Sequence, residues 1–339
     1  MRLLSALRRQ PLDRPPIWFM RQAGRYLPEY RELRRHHSFE EAMCTPSLAA
    51  EITLQPTRRY PLDAAIVFSD IMTPFTALGV AVEFTPGPRL TPLDLDEVAR
   101  LPEFVPSKVD FVAETVSIVR GSLDQQIAVI GFAGGPATVL AYLLEGGGSQ
   151  HFVGWRAAMN SDAVEEALDQ LAVMTRAYLT LQIEGGADVV QLFDTWAGLL
   201  SREQFMRWAL PAAQKALAGL GVPTIYFAPG STHLLDLFQL VGATAYGVDW
   251  RLSLGEAWRL VGENRPIQGN LDPALLLSNP DRVQAGTLKV LEEAGGRRGH
   301  IFGLGHGILP ATPLPNVEAM VRTVHEWRGN SVGETRQAV

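Results

Sequence analysis

The stretch SDAVEEALDQLAVMTRAYLTLQIEGGADVVQLFDT, residues 161–195, contains one complete repeat unit of the fold. Val164, Leu168, Leu171, Met174, Tyr178 and Leu181 recur at helical spacing, which puts one apolar face on a long helix. Ser161 and Asp162 precede that helix, and Glu165 stands three residues after Asp162. This capping-box spacing predicts satisfied amide groups in the first turn. Gly185-Gly186 ends the helix, and the chain turns at once into Asp188–Phe193, a short apolar run that reads as a strand buried on both faces. An acid and a hydroxyl, Asp194 and Thr195, follow at its end.

The same unit recurs on either side. Apolar, β-rich runs occur at Ile17–Met20, Ala65–Ser69, Ala128–Phe132, Asp188–Phe193, Pro223–Phe227, Ala245–Val248, Pro266–Gln268 and His300–Leu304, and most are followed by a helical pattern. Eight such runs predict a closed (β/α)8 TIM barrel, an α/β fold; a doubly wound open sheet is the competing arrangement. Residues 81–90 (AVEFTPGPRL) turn around Pro86-Gly87-Pro88 and predict a small hairpin on a rim of the barrel. No linker or repeat divides the chain, so residues 1–339 are expected to form one domain, with a frayed polar tail from about Gly329.

Composition narrows the function. The 339 residues carry 30 Lys+Arg against 36 Asp+Glu, a net charge of −6, and a pI near 5.7 gives no global footprint for nucleic acid. Cys44 is the only cysteine, which excludes an internal disulfide and a thiolate-rich metal site and suits a reducing compartment. No run of apolar residues is long enough to cross a membrane, so a cytoplasmic protein is expected. The charge is unevenly spread: residues 1–60 hold eleven arginines and six acids, leaving −11 on the remainder. One end of an acidic protein is locally cationic.

In a barrel, reactive groups come from the C-terminal strand ends. Arg21 and Arg25 follow the first run, Asp70 the second, Gly134-Gly135-Pro136 the third, Asp194-Thr195 the fourth, then Pro229-Gly230, Asp249, Asn270 with Asp272, and His306. Two forked, permanently charged guanidiniums around Gln-Ala-Gly suit several carboxylates or phosphates; on a helix surface Arg25 could equally bridge to Glu29 or Glu32. Asp70 can be a ligand-binding carboxylate or the cap of the following turn. The glycines of FGLGHGILP and GFAGGP together form a weak phosphate-site pattern, and His306 can face a ligand or solvent. Neither HExxH nor a Walker or GxSxG pattern occurs. The residues alone thus describe a barrel mouth suited to a polyanion with cationic or N–H character at its centre.

The run Met20-Arg21-Gln22-Ala23-Gly24-Arg25-Tyr26-Leu27-Pro28-Glu29-Tyr30 closely resembles the N-terminal signature of the uroporphyrinogen decarboxylases. The resemblance continues through residues 54–71, 131–146, 191–198, 268–273 and 302–310. It implies a lyase without cofactor or metal that removes CO2 from the four acetate arms of uroporphyrinogen III to give coproporphyrinogen III in haem synthesis, and a homodimer with facing active sites. It implies further that Arg21, Gln22, Ala23, Gly24 and Arg25 line the wall that meets the substrate carboxylates. Asp70 would accept the pyrrole N–H groups, and Tyr142, Thr195 and His306 would complete the pocket. The catalytic set would be Asp70, Arg21 and Tyr142. Neighbouring arginines are expected to keep Asp70 ionised; Tyr142, His306, a water or a substrate carboxyl compete as proton donor, guanidinium being a poor acid. Related barrels include zinc-dependent methyltransferases with Cys and His ligands, but Cys44 is far from any predicted strand end. A tetrapyrrole-binding protein without catalysis is the remaining alternative.

Overall fold

The computed structural model describes residues 1–84 and 87–329, so the frayed tail expected beyond Gly329 lies outside the described residues. Seven parallel strands run in sequential order: β1 (Ala64–Ile66), β2 (Ala128–Gly134), β3 (Val189–Phe193), β4 (Thr224–Phe227), β5 (Ala245–Gly247), β6 (Ile267–Leu271) and β7 (His300–Leu304). The expected eighth strand, at Ile17–Met20, is a single bridge. Ile17 pairs in parallel with Phe302. Phe302 N–H donates to the Pro16 carbonyl at 2.8 Å, Trp18 N–H to the Phe302 carbonyl at 3.3 Å, and Asp63 N–H to the Ile17 carbonyl at 2.9 Å. The segment therefore reaches β7 on one side and the approach to β1 on the other, and closes the curled sheet. It cannot extend as a ladder, because Pro15 and Pro16 lack N–H groups and Arg21 turns the chain away at φ 61°.

Strand alternation sorts the core. Ala64, Ile66, Ala128, Ile130, Phe132, Val189, Ile225, Phe227, Ala245 and Ile301 pack together inside the barrel. Their neighbours Val190, Leu192, Tyr226, Tyr246 and Phe302 pack outward against helices. At the N-terminal end of the strands the inward residues are small, and the helix Arg2–Leu7 fills the space with Leu3, Ala6 and Leu7. The barrel thus has a plugged floor and one open end.

The opening stretch forms the helix Val164–Glu184 with its predicted apolar stripe buried. Gly185 lets it approach the helix Asp110–Ser122, since a Cβ there would lie 2.7 Å from the Ala113 carbonyl oxygen. The expected capping box does not form. Ala163 is the N-cap, and the Asp162 carboxylate instead takes the Arg207 guanidinium at 2.6 Å. The rim hairpin is present as a pair: Glu83 and Arg89 exchange both backbone hydrogen bonds at 2.8 Å. Thr85 and Pro86 at its tip lie outside the described residues.

Candidate active site

Arg21, the first cation of the mouth, sits on a turn built by its neighbours. The buried Gln22 side chain accepts from Phe19 N–H at 3.2 Å and donates to the Ala64 carbonyl at 2.9 Å, which ties the turn to β1. Arg21 adopts the left-handed region without being glycine, a conformation that costs about 1 kcal/mol and persists only where the surroundings impose it. Gly24 folds back so closely that a Cβ would lie 2.8 Å from the Arg21 carbonyl oxygen. Ala23 is half-buried beside it. Gln22, Ala23 and Gly24 therefore shape the wall through backbone and packing.

Eight of the eleven arginines in residues 1–60 hold a carboxylate or a carbonyl. Among the described residues Arg8, Arg21 and Arg25 have no such partner, and Arg8 caps the floor helix. Arg25 does not bridge to Glu29 or Glu32: Glu29 takes Arg59 at 2.9 Å, and Glu32 takes Arg35 at 2.5 Å. Both mouth arginines are exposed and unpaired.

The two oxygens of Asp70 differ, and the one that is engaged serves a local turn and not a helix cap, since Met72 is the N-cap of the helix Thr73–Ala77 that follows. Oδ1 accepts Met72 N–H at 2.9 Å, a local turn; among the described residues no donor reaches Oδ2. The loop beneath is fixed by a hydroxyl network, in which Ser69 Oγ lies 3.2 Å from both Thr73 Oγ1 and Tyr178 Oη. Burial pushes the Asp70 carboxyl above the usual carboxylate range, against the opposing pull of Met72 N–H and the Arg21 charge. Desolvation outweighs the Arg21 charge that was expected to hold the group down, because Arg21 makes no ion pair with it.

Tyr142 lies near the end of the helix Pro136–Glu145 and packs against Phe152 and Trp196, with ring centroids at 6.0 and 6.2 Å. Burial raises its phenol, and the charges of Asp70 and Arg21 both reach it. Thr195 is half-buried next to Trp196. The preceding Asp194 is buried and structural: it accepts Thr138 Oγ1 at 2.8 Å and Tyr226 Oη at 3.0 Å.

His306 Nδ1 accepts Gly307 N–H at 2.8 Å, so the ring proton sits on Nε2, free to donate. Burial, then the charge of Arg21, lowers its pKa to about 4, and the imidazole is neutral at pH 7. Glycines around it and after β2 pack closely against the protein itself. A Cβ on Gly135 would lie 2.5 Å from Asp194 Oδ1, and one on Gly307 2.5 Å from Arg21 Cδ.

Arg21, Asp70, Tyr142 and His306 therefore share one electrostatic neighbourhood, with Thr195 and Arg25 on the adjoining loops. Sequence reasoning missed its floor. Phe132, Phe193, Phe227 and His306 form an edge-to-face row with centroids 5.5, 6.2 and 6.3 Å apart. Strand alternation carried the signal, since each Phe is the last inward side chain of its strand, β2 adding only Gly134 beyond it.

The uroporphyrinogen decarboxylase (URO-D) family model matches residues 1–327. The chain belongs to the uroporphyrinogen decarboxylase family. A uroporphyrinogen decarboxylase of Streptomyces coelicolor is 44% identical over 95% of this chain and 93% of its own. Those of Roseiflexus and Geobacter sulfurreducens are 41% and 40% identical, each over 96% of this chain and 98% of its own. Among solved structures, a methyltransferase from Methanosarcina mazei superposes with a TM-score of 0.80 at 24% identity, covering 96% of this chain and 97% of that one; this likeness shows the fold. Cys44, at the end of the helix Phe39–Cys44, is exposed, and among the described residues no three of His, Cys, Asp and Glu converge as a metal-binding group.

Proposed function

We propose that the mouth decarboxylates the four acetate arms of uroporphyrinogen III to methyl groups, giving coproporphyrinogen III, with the chemistry done by the chain's own residues. The observation that carries this reading is Asp70: one oxygen is spent on its own turn and the other is unclaimed, in a desolvated mouth beside an unpaired arginine. A pyrrole that takes a proton at the ring α-carbon next to the carbon bearing the acetate arm becomes a cationic electron sink, with the arm attached to the double bond conjugated to the iminium. The C–C bond to the carboxylate can then break, CO2 leaves, and its electron pair flows into the ring. A second proton makes the methyl group, and the ring proton is returned. A fixed carboxylate under the pyrrole N–H groups stabilises the cation as it forms, and the low-dielectric aromatic floor strengthens that contact.

Arg21 and Arg25 hold carboxylate arms, and Tyr142, Thr195 and the Nε2–H of His306 offer hydrogen bonds to them. His306 and Tyr142 are neutral hydrogen-bond donors at pH 7, and Tyr142, His306, a water and a substrate carboxyl compete as the source of the proton. The protein acts as a homodimer in the cytoplasm. No helix among the described residues is long and apolar enough to cross a membrane.

Anaerobic incubation with uroporphyrinogen III, followed by chromatography of the oxidised products, tests the reading. It expects species with seven, six, five and four carboxyls in turn; a substrate that keeps all eight contradicts it. Sedimentation should give twice the 37.1 kDa chain mass.

A further inference from the structure

Arg251 follows β5, which stands four staves from β1 in the closed ring and so lies across the mouth from Asp70. The loop of His306 connects the two sides. A Cβ on Gly305 would lie 2.6 Å from Trp250 N, and one on Gly307 2.5 Å from Arg21 Cδ, so the loop is gripped by the Asp249–Trp250 peptide at one end and by Arg21 at the other.

The Arg251 guanidinium is held in a fixed place. Nη1 donates to Asp249 Oδ2 at 2.6 Å, and the group lies 4.6 Å from the centroid of the Trp250 ring. Asp249 is itself immobilised by Gly230 N–H at 2.5 Å and Arg251 N–H at 2.9 Å. The Asp249 side chain is 7% exposed and that of Arg251 49%. A guanidinium has five N–H donors in a planar fork, and Asp249 is its sole partner among the described residues. Stacking and tethering remove the rotamer entropy that an arginine normally loses on gripping an anion.

We propose that Arg251 is a third carboxylate-binding cation of the mouth, a specificity-determining residue that takes an arm of the macrocycle on the side away from Arg21 and Arg25. A macrocycle carries its arms around its whole rim, and two arginines on one turn leave the far side without a cation. This assignment rests on the function proposed above, but its test also has a readout independent of turnover.

The probe is uroporphyrin, the oxidised ring with the same eight carboxylates, titrated by fluorescence against the wild type, Arg251→Gln and Arg251→Lys. The Gln variant keeps a donor for Asp249 without the charge, and should bind about tenfold more weakly at low salt, a difference that shrinks as salt rises. The Lys variant should stay within about threefold of wild type. With uroporphyrinogen, Arg251→Gln should raise KM about tenfold and leave kcat within about twofold, as expected for lost uniform binding. Wild-type affinity and KM in Arg251→Gln would overturn the assignment. So would equal losses in both variants with a falling Tm, which would make Arg251 only the structural partner of Asp249. If the wild type fails to decarboxylate, the proposed function falls while the titration still decides Arg251.

Discussion

Two Arg–Asp pairs bracket the same two neighbouring staves, Arg14 with Asp63 at the floor and Arg21 with Asp70 at the mouth, and they are built in opposite ways. At the floor, Arg14 grips Asp63 with two hydrogen bonds of 2.7 and 3.2 Å, and Asp63 also accepts Ile17 N–H at 2.8 Å. At the mouth, Arg21 and Asp70 make no ion pair, Asp70 keeps an oxygen free, and Arg21 is held in a strained backbone conformation. Seven residues separate the two members of each type. The difference teaches where the fold invests in stability and where it gives stability up: charges satisfied by the protein hold it together, and charges left unsatisfied are available to a ligand.

Exchanging the roles of the two acids should separate the regions most sharply. Asp70→Ala should lower kcat by about a thousandfold, the scale of losing one preorganised electrostatic contact, with a small change in Tm. Asp63→Ala should do the reverse, leaving kcat within a few-fold while unfolding free energy falls by about 3–5 kcal/mol, because it strands the buried Arg14. Steady-state kinetics and urea denaturation on both variants check this; similar profiles would erase the distinction.

Acid should act on both regions through buried histidines. His300, at the floor end of β7, has its pKa lowered to about 4 by burial, and its Nε2 lies 3.0 Å from the Gly269 carbonyl oxygen. His306 at the mouth is lowered to about 4 as well. The unfolded imidazoles take up protons first, near pH 6.5. Their contribution to stability is therefore complete above that value and is lost as pH falls toward 4. Asp70 and Asp194, raised in the fold, oppose the trend. His300→Gln can still donate to Gly269 and should recover on the order of 2 kcal/mol of the acid loss, measured as unfolding free energy at pH 4.5 against pH 7. An unchanged acid limb would mean His300 is not the sensor.

Smaller effects should come from the mouth arginines. Arg21→Ala should weaken uroporphyrin binding about tenfold with Tm unchanged, whereas Arg14→Ala should lower Tm without altering binding. Arg25→Ala, at a more peripheral position on the same loop, should cost about threefold in the same titration. Equal affinity across all three variants would place the carboxylate site elsewhere.

Much of this was legible from the residues. Strand alternation and helix periodicity are local, so the βα repeat and seven of the eight staves were readable; the first run degenerated to a bridge because Pro15, Pro16 and the turn at Arg21 stop a ladder that apolarity alone allowed. The Asp162 capping box failed because Arg207, distant in sequence, competes for the carboxylate. The positions Arg21, Asp70 and His306 followed from strand ends, but their electrostatics did not. The raised Asp70 carboxyl depends on its burial in the folded chain, and the neutral His306 on burial in a pocket where its ring meets Phe227. The glycines after β2 and around His306 serve close packing of the protein on itself, which sequence does not separate from close approach to a ligand. The eleven arginines could be counted but not sorted until their partners were placed.

The mouth trades stability for chemistry at Asp70, and the stability of Asp70→Asn tests this most directly. The amide oxygen can still accept Met72 N–H while the costly buried charge is gone. Urea denaturation at pH 7 should show the variant as stable as wild type or more so, by about 1 kcal/mol, alongside a large loss of turnover. A variant that is clearly less stable yet turns over uroporphyrinogen normally would show that Asp70 is kept for its turn, and would contradict the account.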